Sequence, residues 1–198
     1  MVGAIVLAAG ESTRMKTQKL LLPFAGATVI EHIVDQLVAS TVGDTVVVLG
    51  KDAEGVGGAL VGRDVGRVFN KDFPSGMLSS VRTGVREAAR WQGIMIVLGD
   101  QPALSTALVN QLVSVWEERG RGIVVPTFEG RRGHPMIFDA AYREEVLTQF
   151  DDEGLRGLLH ARVDDVFEFA VDISAILEDM DYPEDYERAL KAFERDEA

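Results

Sequence analysis

The sequence predicts an α/β domain built on a mostly parallel β-sheet. Three observations carry that prediction. Short apolar runs, Ala4–Ala9, Thr45–Leu49 and Ile94–Leu98, contain no charged residue, which is how parallel strands buried on both faces read. Segments with helical spacing and capping residues alternate with these runs. The chain has 198 residues, 46% hydrophobic and 26% charged, enough for one proper core. No internal repeat or low-complexity stretch divides it, so one domain over 1–198 is expected.

The elements follow in order. Ala4–Ala9 is the first strand, and Gly10 ends it. Thr28 and Glu31 are spaced as a capping box, opening a helix to about Ser40 with Ile30, Ile33, Val34 and Leu37 on one face. Thr45–Leu49 is a buried strand stopped by Gly50. Six glycines within 50–66 leave only a weak helix over Ala53–Val61. Val65–Phe69 reads as a short strand, Leu78–Arg90 as a helix and Ile94–Leu98 as a buried strand. Ser105 or Thr106 caps a long helix to about Arg119. Gly122–Pro126 and Pro135–Phe138 are strands, the second a candidate for antiparallel placement. Asp139–Gln149 and Leu155–Ala161 are helical, and Val166–Val171 is extended. Pro183 opens a last helix to about Arg195, proline being favoured in a first turn.

Composition narrows the function. There is no cysteine, which removes disulfides, thiolate metal sites and cysteine nucleophiles. No apolar run approaches the ~20 residues of a membrane helix. Val2–Ala9 is apolar but short and follows no basic region, unlike a signal peptide. A cytoplasmic protein with no membrane partner is expected. The net charge is −12, unevenly placed. Residues 1–138 hold 14 Lys/Arg and 13 Asp/Glu, whereas residues 139–198 hold 6 and 19. An acidic last third argues against nucleic acid as a partner.

The stretch from Val6 to Pro23 stands out. A charge-free strand opens into a polar loop with three cations, Arg14, Lys16 and Lys19. Loops at the carboxyl ends of strands are where α/β sheets bind ligands. Ala8, Ala9 and Gly10 let a ligand approach the backbone. Backbone N–H groups with Arg14 and Lys19 suit a polyphosphate, the arginine as a planar fork and the lysine as a point charge. Neither a G-x-G-x-x-G fingerprint nor a P-loop is present. A second strand, Ile94–Leu98, delivers Asp100 at its carboxyl end. Alone, such an aspartate is usually a turn or cap; beside two phosphate-facing cations it supplies the carboxylate of a Mg²⁺–triphosphate site. No G-x-S-x-G elbow exists, and His32, His134 and His160 lack metal-ligand spacing.

The whole pattern L-A-A-G-x-S-x-R-M-x-x-x-K-L-L-L-P over Leu7–Pro23 resembles the signature loop of nucleotidyltransferases of the molybdenum cofactor cytidylyltransferase and guanylyltransferase type. The resemblance implies a Rossmann-like, three-layer domain of the glycosyltransferase-A-like kind. It implies that Leu7, Ala8, Ala9 and Gly10 wrap a nucleoside triphosphate while Arg14 and Lys19 hold its phosphates. Gly99-Asp100-Gln101-Pro102 resembles the motif of the cytidylyltransferase branch, so that Asp100 is a metal ligand and Gln101 favours CTP over GTP. Asn70, Gly76 and Ser80 fall in the segment that lies against the nucleoside in that family. Asp179-Met180-Asp181-Tyr182-Pro183-Glu184-Asp185 resembles D-I-D-T-P-E-D, which makes Asp181 the second Mg²⁺ ligand. Gly133-His134-Pro135 and Asp152-x-Gly154-x-Arg156 resemble motifs on the acceptor side, assigning Gly133, His134, Pro135 and Arg156 to acceptor binding. The chain departs from the family pattern at Lys16, Asp151 and Tyr182.

The implied reaction is attack of an acceptor phosphate on the α-phosphate of a nucleoside triphosphate, with Mg²⁺ as cofactor and pyrophosphate as leaving group. Molybdopterin carrying molybdenum is the favoured acceptor, a molybdoenzyme the candidate recipient of the product, and a monomer the expected state. The rivals are guanylyl transfer, a sugar-phosphate or alcohol-phosphate acceptor, and a protein that binds nucleotide or molybdopterin without turnover.

Overall fold

A computed structural model defines the fold and describes residues 1–11, 15, 17–120 and 122–196. Strand β1 (Val2–Ala8) lies at the centre. The chain then makes a two-residue hairpin, β2 (Pro23–Phe24) and β3 (Ala27–Thr28), before helix α1 (Val29–Val38). Strand β4 (Asp44–Leu49), α2 (Ala53–Ala59), β5 (Gly66–Phe69), α3 (Met77–Glu87), β6 (Gly93–Leu98) and α4 (Thr106–Glu118) follow in strict alternation. The last third adds β7 (Ile123–Phe128), β8 (Arg131–Arg132), β9 (Met136–Asp139), α5 (Arg143–Thr148), α6 (Leu155–Ala161), β10 (Val166–Ala170) and α7 (Pro183–Asp196).

The main sheet runs β10-β7-β9-β6-β1-β4-β5, with β8 paired to β7. Strands β1, β4, β5 and β6 pair in parallel; the apolar runs of β1, β6 and Thr45–Leu49 fit burial on both faces, whereas β5 carries Arg67 at the sheet edge. Strand β9 is antiparallel to both β6 and β7, as anticipated for Pro135–Phe138. From β1 the chain winds outward to β4 and β5, then returns across β1 to β6. The gap between β1 and β6 is therefore the topological switch point, where open α/β sheets bind ligands beyond the strand ends.

Alternation along β1 splits the core. Val2, Ala4, Val6 and Ala8 face one way, into a cluster with Ile30, Ile33 and Leu37 of α1 and Leu108 and Leu112 of α4. Ile5 faces the other way, onto Val81 and Val85 of α3 and Phe138. Two helical layers thus enclose one sheet, the predicted three-layer architecture. The capping box of α1 is formed: the Thr28 N–H donates to Glu31 Oε2 at 2.8 Å, and the Glu31 N–H donates to Thr28 Oγ1 at 3.4 Å. Among the described residues no helix is long and apolar enough to cross a membrane.

Some boundaries differ from expectation for identifiable reasons. The hairpin turn places Ala25 at φ 53° and Gly26 at φ 78°. This is the double positive-φ geometry of a tight hairpin, which an alanine does not advertise. Strand β7 continues past Pro126 to Phe128. Pro126 sits between the residues of β7 that pair with β9 and those that pair with β8, so its missing N–H breaks neither ladder. The helix expected over Asp139–Gln149 begins as a 3₁₀ turn, Ala140–Tyr142, capped by Asp139, and becomes α-helical only at Arg143.

Helix α3 approaches β1 through Gly84. A Cβ there would lie 2.4 Å from Ile5 Cγ2, and Ile5 is fully buried. Gly84→Val should therefore overpack this contact and lower the free energy of urea unfolding by about 1–3 kcal/mol. An unchanged unfolding midpoint would contradict the tight α3–β1 contact.

Candidate active site

The strands that flank the switch point end side by side. The Gly99 N–H donates to the Leu7 carbonyl at 3.1 Å, and a Cβ on Gly99 would sit 2.7 Å from that oxygen. Only glycine allows the close approach that sets Asp100 beside the Ala9–Gly10 corner. A cleft of about 530 Å³ opens there, with Leu7, Ala9, Gly10, Gly76, Ser80, Asp100, Asp179 and Asp181 in its lining.

Three residues far apart in sequence meet at its edge. Lys19 stands in a 3₁₀ turn, Lys19–Leu21, whose first N–H groups are capped by Gln18. Its Nζ donates to Asp100 Oδ2 at 2.5 Å and to Asp181 Oδ1 at 3.2 Å. The lysine side chain is 11% exposed. Burial pushes its pKa down, but the charges and hydrogen bonds of Asp100 and Asp181 outweigh that and leave it raised. Asp181 reaches this point through backbone contacts. The Met180 N–H donates to the Asp100 carbonyl at 3.1 Å. Asp185 Oδ2 accepts from the N–H groups of Asp181 and Tyr182 at 3.1 and 2.8 Å. Those backbone bonds, that from Tyr182 foremost, hold the Asp185 carboxyl below the usual range.

The two carboxylates thus already share one cation, the lysine ammonium. That donor set fits a hard divalent ion, which takes one or two carboxylates and completes its shell with water and substrate oxygens. Among the described residues no cluster of three or more His, Asp or Glu could enclose a metal by itself.

The remaining residues read from the sequence fall into two groups. Gly76, at φ 110°, precedes α3, and Ser80 lies one turn in; both line the cleft. Asn70 is 2% exposed and lies behind it. Its Nδ2 donates to Ser79 and Ser80 hydroxyls at 2.8 and 3.0 Å, so it positions Ser80 from within. Phe73 also lines the cleft. Arg14 and Lys16 lie outside the described residues. Ala8 is buried at the end of β1.

A second cavity of about 660 Å³ adjoins the first and shares Met77, Leu98 and Asp179 with it. Gly133, His134 and Arg156 line it, as do Arg131 and Arg132; Pro135 follows His134 through a cis peptide bond. Burial lowers the His134 pKa against the opposing charge of Asp100, favouring the neutral imidazole. Gln101 also faces this second cavity rather than the first. It is 7% exposed, and its Nε2 donates to Asp179 Oδ1 at 2.8 Å and to the Ile176 carbonyl at 3.4 Å.

Asp179 is the residue that sequence reasoning passed over. It forms wall to both cavities. Burial first, then the charge of Asp100, raises its pKa, while the Gln101 hydrogen bond opposes. Its position before a proline-initiated helix was the available signal. Its partner Gln101 is 78 positions away, which no local pattern reveals.

Removing the shared cation tests the geometry. Lys19→Met should lower thermal unfolding stability by about 1–3 kcal/mol in metal-free buffer, and Mg²⁺ or Mn²⁺ should restore more stability in the variant than in the wild type. An unchanged melting temperature without metal would contradict a structural ion-pair triad.

Comparison with known proteins places the chain in a family. The chain is 33% identical over 168 residues to nicotine blue oxidoreductase of Paenarthrobacter nicotinovorans, covering 81% of this chain and 82% of that one. It superposes on Rv0371c of Mycobacterium tuberculosis H37Rv with a TM-score of 0.85 at 30% identity, covering 96% and 97% of the two chains. The manganese complex of Rv0371c gives a TM-score of 0.82. A nucleotidyl transferase from Methanothermobacter thermautotroptrophicus gives 0.86 at 28% identity, covering 98% of each chain. Residues 4–166 match the model of the MobA-like NTP transferase domain, and the chain belongs to that nucleotidyltransferase family.

Proposed function

We propose that this nucleotidyltransferase moves CMP from CTP onto a phosphate-bearing acceptor, with Mg²⁺ as its metal and molybdopterin carrying molybdenum as the favoured acceptor. The observation that carries the reading is the convergence of Asp100 and Asp181 on one cationic centre, at the seam between two adjoining cavities. The first cavity, with the Ala9–Gly10 corner and the start of α3, takes the nucleotide. The second, with Arg131, Arg132 and Arg156, takes the anionic acceptor.

Chemistry at the seam needs no protein nucleophile. An acceptor phosphate oxygen bonds to the α-phosphorus, the bond from that phosphorus to the bridging oxygen breaks, and the electron pair leaves with pyrophosphate. Lys19 offsets charge on the triphosphate and the leaving group, and Arg14 of the same loop does so in this reading. Asp100 and Asp181 would hold Mg²⁺, which supplies charge neutralisation on the triphosphate oxygens. Asp179 and neutral His134 orient the acceptor beside them. Positioning and electrostatics account for such a reaction.

The choice of CTP rests on the resemblance of Gly99-Asp100-Gln101-Pro102 to the cytidylyltransferase motif. Since Gln101 hydrogen-bonds Asp179 and lines the second cavity, its influence on the base would be indirect. The work is assigned to a cytoplasmic monomer that hands its product to a molybdoenzyme. A second reading draws on the Paenarthrobacter relative, whose name is that of an oxidoreductase acting on nicotine blue. That name allows a redox role for a chain of this family.

Pyrophosphate release separates the readings. The four nucleoside triphosphates are each incubated with molybdenum-loaded molybdopterin and Mg²⁺. CTP should give pyrophosphate with a kcat/KM about tenfold above GTP, and Arg14→Ala should lose about tenfold or more through a lost charge-assisted phosphate contact. Equal or faster turnover of GTP would remove the cytidylyl assignment. No pyrophosphate from any nucleotide would remove molybdopterin as the acceptor.

A further inference from the structure

Arg82 lies in the middle of α3 and its side chain is 18% exposed. The start of the same helix, Gly76, Met77 and Ser80, lines the nucleotide cleft. The guanidinium reaches away from that cleft to the turn between α5 and α6. Its Nε donates to the Val146 carbonyl at 2.9 Å, its Nη2 to the Gln149 carbonyl at 2.6 Å, and its Nη1 to Asp151 Oδ1 at 2.6 Å. Helix α5 ends at Thr148, so two of the three bonds satisfy carbonyls at a helix carboxyl end, where a cation is favoured.

The turn so gripped is not one the chain adopts readily. Phe150 has φ 71°, a left-handed conformation that costs a side chain roughly 1–2 kcal/mol. Gly154 follows with φ 61°. The Gly154 N–H donates to the Phe150 carbonyl at 2.8 Å. Helix α6 then packs so tightly that a Cβ on Gly157 would lie 2.5 Å from the Phe150 ring. Directly after this turn, Gly154, Leu155 and Arg156 form one wall of the second cavity. The placement of that wall therefore depends on a strained turn, and Arg82 supplies three hydrogen bonds from outside it.

We propose that Arg82 is a positioning residue for the second cavity: it ties the helix that opens at the nucleotide to the turn that presents Arg156. The proposal rests on reading that cavity as the acceptor side. It assigns little to the Arg82–Asp151 ion pair itself, because the Asp151 side chain is 74% exposed and exposed pairs contribute little. The two carbonyl bonds carry the effect. A lysine, a point donor without the planar fork, cannot replace them all.

Three variants of the full chain, Arg82→Leu, Arg82→Lys and Asp151→Asn, test this with CTP, Mg²⁺ and molybdenum-loaded molybdopterin as the probe acceptor. Arg82→Leu should raise the acceptor KM about tenfold and leave the calorimetric Kd for CTP unchanged. Amide exchange in 149–157 should accelerate while exchange in β1 and β6 does not. Arg82→Lys should fall between, and Asp151→Asn should stay near wild type. An unchanged acceptor KM with unchanged exchange in 149–157 would overturn the proposal. So would a loss of CTP affinity and of protection across the whole sheet, which is what a general structural prop would give. If the wild type releases no pyrophosphate with this acceptor, the molybdopterin assignment fails, and the exchange and CTP-binding results alone decide the role of Arg82.

Discussion

The site depends on one buried ammonium. Burying a lysine is costly unless its charge is met, and Lys19 is met by two carboxylates, Asp100 and Asp181, at 2.5 and 3.2 Å. The reverse also holds: two carboxylates drawn to one point repel unless a cation lies between them. Much of the surrounding structure serves this arrangement. The pairing of β1 with β6 sets the lysine loop beside Asp100. The bond from the Met180 N–H to the Asp100 carbonyl brings the carboxyl-terminal segment across. Asp185, in the first turn of α7, holds the backbone of Asp181 and Tyr182 in place.

The same convergence organises the two cavities. They meet at Met77, Leu98 and Asp179, next to the shared cationic centre, so two substrates would present their reacting groups on either side of it. Arg131, Arg132 and Arg156 line the second cavity, while Asp100 and Asp181, bridged by Lys19, stand beside the first. In the proposed reaction, this local arrangement is how a chain of net charge −12 would receive two anions. The charge that matters is local, and most of the acidic excess belongs to exposed residues of the last third.

How much of this was legible in the sequence follows from the range of the interactions. The central strands were legible because burial on both faces forces continuous apolar runs, a purely local signal. Asp100 was legible as the carboxylate that a strand delivers to the edge of the sheet. The Ala25–Gly26 hairpin was not, because alanine rarely takes positive φ and nothing nearby announces it. The roles of Gln101 and Arg82 were hidden for another reason. Their partners, Asp179 and the 146–151 turn, lie 78 and 64 to 69 positions away. Lys19 shows the mixed case: its loop marks it as a phosphate-facing cation, and only the fold reveals that it also neutralises two carboxylates.

The central claim is that Asp100 and Asp181 act as one metal-holding unit. The most direct measurement is a double-variant cycle of Mg²⁺-dependent pyrophosphate release with Asp100→Asn, Asp181→Asn and the pair combined. The account predicts that each single variant loses metal-dependent turnover and that the double variant is little worse than either, because residues that act as a unit are strongly non-additive. Independent, multiplying losses, or an Asp181→Asn variant with wild-type turnover, would contradict it and leave Asp181 only as a partner of Lys19.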